Sequence, residues 1–301
     1  MYTAPTLLPR RALRKGLALL VPGALLLFLI AQAFSAAPSR AARTQAAMQA
    51  VTIHAATPQF PKTLTTGLVA LTFVNDAKQE FNAGFGRINP GVSKAEVQHT
   101  DAATATSKDP LANIAQLFKE VTVLGGVDDI LPGASQTAIV NFSTPGNYAV
   151  SVSPQDGADH LLFFTVTAGS GTATLPAGDV SVTLKNFKFT GLPQHLAAGT
   201  ATFTVTNSGN MVHEMQLTRL TSGKTQKDVE AFIRSPQAQN GPFPSWIVDD
   251  GGMGVIAPKQ SAAVRITLTP GYYVVLCFMP DMNKQGEPHV MEGMIGHFTV
   301  S

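Results

Sequence analysis

Apolar and polar residues alternate along most of this chain. Thr200-Ala201-Thr202-Phe203-Thr204-Val205-Thr206 puts Ala201, Phe203 and Val205 on one face and threonines on the other, and Ala263-Val264-Arg265-Ile266-Thr267-Leu268-Thr269 does the same. A period of two with one apolar face predicts antiparallel strands, and several of them at short spacing predict a β-sandwich. Pro270-Gly271 turns the second segment into a further strand, Gly271 to Cys277. The period changes only locally. Lys227 to Arg234 brings Val229, Phe232 and Ile233 to one face at helical spacing, predicting a short flap against the sandwich. Asp109-Pro110 opens a second helical segment bearing Leu111, Ile114, Leu117, Phe118 and Val121.

The pattern also repeats at long range. Gly67 to Asn75 parallels Gly199 to Asn207, Pro145 to Val150 parallels Pro270 to Val275, and Phe164-Thr165-Val166 parallels Phe298-Thr299-Val300. An all-β chain of two tandem sandwich domains with short helical insertions is expected, residues 51–168 and 178–301, joined through a segment rich in Gly, Ser, Thr, Pro and Ala. The length of 301 residues suits two domains, and 45% hydrophobic residues suffice for real cores.

The N-terminus departs from this pattern. Arg10-Arg11-Ala12-Leu13-Arg14-Lys15 precedes an apolar run from Gly16 to Ala31, and then the small-residue sequences Ala31-Gln32-Ala33 and Ser35-Ala36-Ala37. Residues 1–37 read as a signal peptide or, if uncut, a membrane anchor, followed by a linker over 38–50. The expected location is therefore periplasmic, extracellular, or anchored facing outward. Removing four basic residues with the leader leaves 17 Lys+Arg against 19 Asp+Glu, so nothing basic remains to hold a nucleic-acid backbone.

Candidate chemistry sits in the second half. Cys277, the only cysteine, is followed by His289 and Met294 and preceded by His213. A lone cysteine in an exported chain stays free or is capped, and a thiol, two imidazoles and a thioether form the donor set of a mononuclear blue-copper centre. Two motifs resemble the cupredoxin family. Thr206-Asn207-Ser208-Gly209-Asn210-Met211-Val212-His213 is similar to the turn carrying the first histidine in plastocyanin. His289-Val290-Met291-Glu292-Gly293-Met294-Ile295-Gly296 resembles the His-x₄-Met-x-Gly run of plastocyanin and of copper nitrite reductases. Over roughly residues 178–301 the resemblance implies a Greek-key cupredoxin fold, one type 1-like copper per chain, ring nitrogens of His213 and His289 and the Cys277 thiolate as ligands, and Met294 as axial ligand. The eleven residues between Cys277 and His289 exceed the usual connection, and Pro280-Asp281, Asn283 and Gly286 are turn formers able to fold the excess into a surface excursion.

The first half is a negative control. Aligned on the repeat, His213, Cys277, His289 and Met294 fall opposite Phe81, Val152, Gln155 and His160, so a metal-free first domain is expected. His54, His99, His160 and His195 read as surface groups, and His297 as a rim position. Met279, Met282 and Met291 crowd the ligand loop, as packing residues or as a soft copper(I) surface. With no His-x-His pair and with Leu276 and Phe278 flanking Cys277, a second copper centre for oxidase or nitrite-reductase chemistry is not expected. The reading is an exported one-electron carrier rather than an enzyme, with a redox partner protein. The alternatives are a copper(I) carrier serving an oxidase and a metal-free interaction module.

Overall fold

The computed structural model describes residues 48–154, 159–169, 174–240 and 243–301. The expected signal or anchor segment, and Gln155, lie outside the described residues. No helix among the described residues is long and apolar enough to cross a membrane.

Ten elements form the first half: β1 (Gln49–His54), β2 (Thr63–Thr65), β3 (Gly67–Val74), β4 (Phe81–Ile88), α1 (Lys94–Thr106), α2 (Leu111–Glu120), β5 (Val121–Ile130), β6 (Ser135–Phe142), β7 (Gly146–Pro154) and β8 (His160–Thr167). The second half runs β9 (Val180–Lys185), β10 (Lys188–Thr190), β11 (His195–Leu196), β12 (Gly199–Asn207), β13 (His213–Leu220), α3 (Gln226–Ile233) and α4 (Pro236–Asn240). It continues with β14 (Ile247–Ile256), β15 (Ser261–Leu268), β16 (Gly271–Leu276), β17 (Pro280–Asp281), β18 (Glu287–Pro288) and β19 (Ile295–Val300).

The strands build two facing sheets, a seven-stranded one ordered β1-β3-β6-β15-β12-β9-β10 and a ten-stranded one ordered β11-β19-β16-β13-β14-β5-β4-β7-β8-β2. Alternation dictates the layers. In β16, Tyr273 and Val275 enter the core between the sheets, while Val274 and Leu276 join an outer apolar layer. That outer layer includes Val229, Phe232 and Ile233 of α3, which lies as the flap its spacing predicts. The α1–α2 insertion covers the corresponding outer face in the first half, packing Val97 and Leu117 with Ile88 and Val121. The helix α1 has no counterpart in the expected elements. Ser93 and Glu96 close a reciprocal capping box at its start, which the Ser-x-x-Glu spacing already spells.

The repeat holds bond by bond. Asn75 Nδ2 donates to Gln79 O and Ile130 O, and its Oδ1 accepts from Ala77 N. Asn207 Nδ2 donates to Met211 O and Ile256 O, and its Oδ1 accepts from Gly209 N. Likewise Tyr148 and Tyr273 each donate a hydroxyl to the carbonyl four residues earlier, Thr144 and Thr269.

The halves do not merely adjoin. Antiparallel pairing of β6 with β15 joins the seven-stranded sheet across them, with Ala138 opposite Val264. Pairing of Ile256 with Leu124 joins the ten-stranded sheet. Aligned end to end, β6 and β15 put Ala138 on Val264, so the seam pairs equivalent residues about a local two-fold axis. One contiguous apolar core runs through both halves.

Candidate metal centre

Three segments of the second half converge. The first is the turn before β13: the fully buried Asn207 locks it through the three side-chain bonds above, and His213 begins the strand. The second is the end of β16, where Cys277 follows Leu276 at full burial. The third is the loop after it. Pro280–Asp281 pairs with Glu287–Pro288 as a small hairpin, Asp281 Oδ1 caps its tip by accepting from Asn283 N (2.7 Å), and Gln285 and Gly286 take left-handed backbone angles. His289 N then donates to Met279 O (2.9 Å) and Val290 N to Cys277 O (2.8 Å). The extra length is thus stored in an excursion, and His289 returns beside the residues following Cys277.

The donor atoms form a closed triangle. His213 Nδ1 lies 3.0 Å from His289 Nδ1, while Cys277 Sγ lies 3.4 Å from His289 Nδ1 and 3.9 Å from His213 Nδ1. Bonds of about 2.0–2.1 Å to nitrogen and about 2.3 Å to sulfur around a trigonal ion imply edges of about 3.5 Å between nitrogens and about 3.8 Å to sulfur. The Cys277–His213 edge matches and the two edges that meet at His289 Nδ1 are each shorter by about 0.4–0.5 Å, a contraction that a small shift of one ring relieves, so the residues fit a metal ion. Met294 is fully buried, ends the same turn, and its backbone N–H donates to His289 O (3.0 Å). Among the described residues, His213, Cys277 and His289 are the one group of at least three His, Cys, Asp or Glu donors gathered closely enough to hold a metal ion.

Electrostatics follow from burial. Desolvation holds the His213 ring down to about 4, with His289 adding to the shift, and holds His289 down to about 4 against the opposing pull of Asp281. Both rings are therefore neutral at pH 7, with lone pairs available to a metal. Burial pushes the Cys277 thiol well up and the Glu214 carboxylate adds to the rise, whereas backbone N–H groups of Glu214 and Met279 donate toward the sulfur and oppose it. Glu214 is itself buried and accepts the Phe278 N–H on Oε1 (2.7 Å), tying the His213 strand to the Cys277 loop.

The remaining sequence candidates lie apart. Phe81 and Val152 are buried core residues at strand positions equivalent to His213 and Cys277, while His160 is exposed at the start of β8. His54, His99, His195 and His297 are exposed. His54 pairs with Asp76, His195 bonds Thr299 and Ser301, and His297 bonds Gln226 and stacks on Tyr272. Met279 packs on the main core, Met291 on the outer layer, and Met282 is exposed. Sequence reasoning missed Glu214, whose place beside His213 was the available signal, and Phe187. The latter occupies the β9–β10 turn and meets the His289 ring edge-on at 5.2 Å between centroids.

No family model and no curated protein matches the chain. Among solved structures it is similar to an auracyanin from Roseiflexus castenholzii, with 21% identity over 40% of this chain and 94% of that one at a TM-score of 0.27. It is similar to auracyanin A, a "blue" copper protein from Chloroflexus aurantiacus, with 20% identity over 40% of this chain and 99% of that one at 0.24. A copper-containing nitrite reductase from Thermus scotoductus shares 10% identity over 84% of this chain and 55% of that one, also at 0.24. Scores this low leave the functional reading to the geometry of the donors. The fold is all-β and its repeated unit is a β-sandwich.

Proposed function

We propose that this protein is an exported one-electron carrier with one copper ion per chain, which His213, Cys277 and His289, with Met294 beside them, would hold. The observation that carries this reading is the buried triangle of two imidazole Nδ1 atoms and one thiol sulfur. Bound copper would supply the one-electron couple, and a soft thiolate with two imidazoles and a weak thioether suits both of its oxidation states. The protein's contribution is to hold those donors still. His213 starts a strand whose turn is locked by Asn207, Cys277 ends a strand, and backbone bonds to Met279 and Cys277 seat His289 and its helical turn. Burial keeps both rings neutral, so only the thiol surrenders a proton on binding.

Export rests on the leader-like composition of residues 1–37, and the partner is a redox protein. With the other histidines dispersed over the exposed surface, a carrier is favoured over an oxidase.

The test is a visible spectrum after copper(II) addition. An intense thiolate-to-copper band is expected, lost in Cys277→Ser. Met294→Gln keeps the colour and lowers the reduction potential, while Met279→Leu and Met282→Leu leave the potential unchanged. Protein that binds copper(II) yet stays colourless overturns the carrier of electrons in favour of a carrier of copper.

A further inference from the structure

Phe187 is in a place where phenylalanine is costly. The β9–β10 connection is a two-residue turn, Asn186-Phe187, and Phe187 has φ +63°, a region that bulky residues avoid and that glycine or asparagine adopts readily. A side chain kept there against backbone preference marks a constraint from elsewhere, and the contacts name it. The ring stands edge-on to His289 at 5.2 Å between centroids and packs against the main core. Above it lies Lys284, with Nζ 5.7 Å from the ring centroid, at the tip of the ligand-loop excursion. Lys284 is held in turn by an ion pair with the largely buried Glu292.

The excursion is braced from the other side by the first half. Gly286, at φ +81°, approaches α2 so closely that a Cβ there would fall 2.6 Å from both methyl carbons of Leu111. A stack therefore runs from Leu111 through the excursion to Phe187 and then to His289. Its result is visible in the site: His289 is completely buried, and its Nε2 is enclosed with no hydrogen-bond partner. On the His213 side, Gly209 closes over the ring, where a Cβ would lie 3.1 Å from Nε2.

The geometry points to Phe187 as a seal on the His289 edge of the centre, pressed down by the excursion and, through Leu111, by the half of the molecule that has no donors of its own. It keeps small solutes from the donor atoms and leaves packed side chains as the way in. This deepens the metal-site reading, yet the seal is a property of the chain and is testable without metal.

The experiment uses the full metal-free chain. Iodoacetamide at fixed pH reports access to Cys277, the only cysteine, by mass, and urea unfolding of each variant gives its unfolding constant. Phe187→Asn keeps the turn and removes the ring, so alkylation is expected to accelerate about tenfold beyond what the change in unfolding constant accounts for. Phe187→Leu keeps apolar cover and stays near the wild-type rate. Leu111→Ala accelerates alkylation about threefold by loosening the brace. A Phe187→Asn rate equal to wild type, or one that tracks the unfolding constant alone, overturns the seal. A Leu111→Ala rate equal to wild type overturns the part assigned to the first half. Because copper is absent from the assay, failure of the metal-site reading would show only in the spectrum.

Discussion

His213 and His289 are buried imidazoles that remain neutral where free histidine would begin to take up protons, and this has a consequence for stability. Their pKa values fall from 6.5 to about 4 on folding, so between those limits the unfolded chain binds more protons than the folded one. The contribution of these two groups to the stability of the metal-free protein is therefore full above about pH 6.5 and declines as pH falls toward 4, by on the order of 3 kcal/mol for one histidine across the whole interval, while Asp101, raised to about 6 by burial, acts in the opposite sense. Urea midpoints should drop between pH 7 and pH 5, and His213→Gln should shallow that drop. A wild-type midpoint that ignores pH in this window would contradict the neutral, buried pair. At this scale His213, Cys277 and His289, which the structure gathers, were legible through residue type together with the resemblance of their flanking motifs to cupredoxin ligand turns. Phe187 was not, since a phenylalanine in a turn does not reveal what lies across from it until the chain is folded, and Glu214 signals only its place beside His213, not its bond to Phe278 N.

Elements carry the donors through turns whose bonding is duplicated. Asn75 and Asn207 make the same three side-chain hydrogen bonds, so replacing either with alanine strands two backbone carbonyls and one N–H in a largely buried turn. Each variant should lose about 2–4 kcal/mol. Only Asn207→Ala should also weaken copper binding, because only its turn delivers a ligand. Paired urea and copper titrations check this, and equal effects on copper would mean that the asparagine acts through general stability. Strands were readable from alternation, and α3 from Val229, Phe232 and Ile233. The helix α1 was not, because its Ala- and Thr-rich sequence has little apolar periodicity and its capping box is the clearer sign. The excursion was readable as turn-forming residues, but the return of His289 to Met279 depends on backbone bonds that no spacing displays.

At the scale of the whole molecule, the sequence suggests two units that could each close a core, whereas both sheets and the apolar core run across the join. The seam includes β6 against β15, an Ala257 N–H donated to Val123 O, and Gly125 packed against Met253 and Ala262. A chain of roughly residues 174–301 would expose β15 and much of that core, and an unpaired strand edge seeks a partner. It should sediment as a dimer with β15 paired to its own copy, since the seam already joins equivalent positions. A folded, copper-binding monomer would show the first half to be dispensable. The local two-fold at Ala138 and Val264 has a further meaning. A pair of identical subunits must carry any change twice, so a lost donor would be lost from both. Once the two are one chain, a copy can exchange its histidine for Phe81 and its cysteine for Val152 while the other keeps the chemistry. Symmetry supplies the architecture, and covalent linkage lets the two copies divide the work.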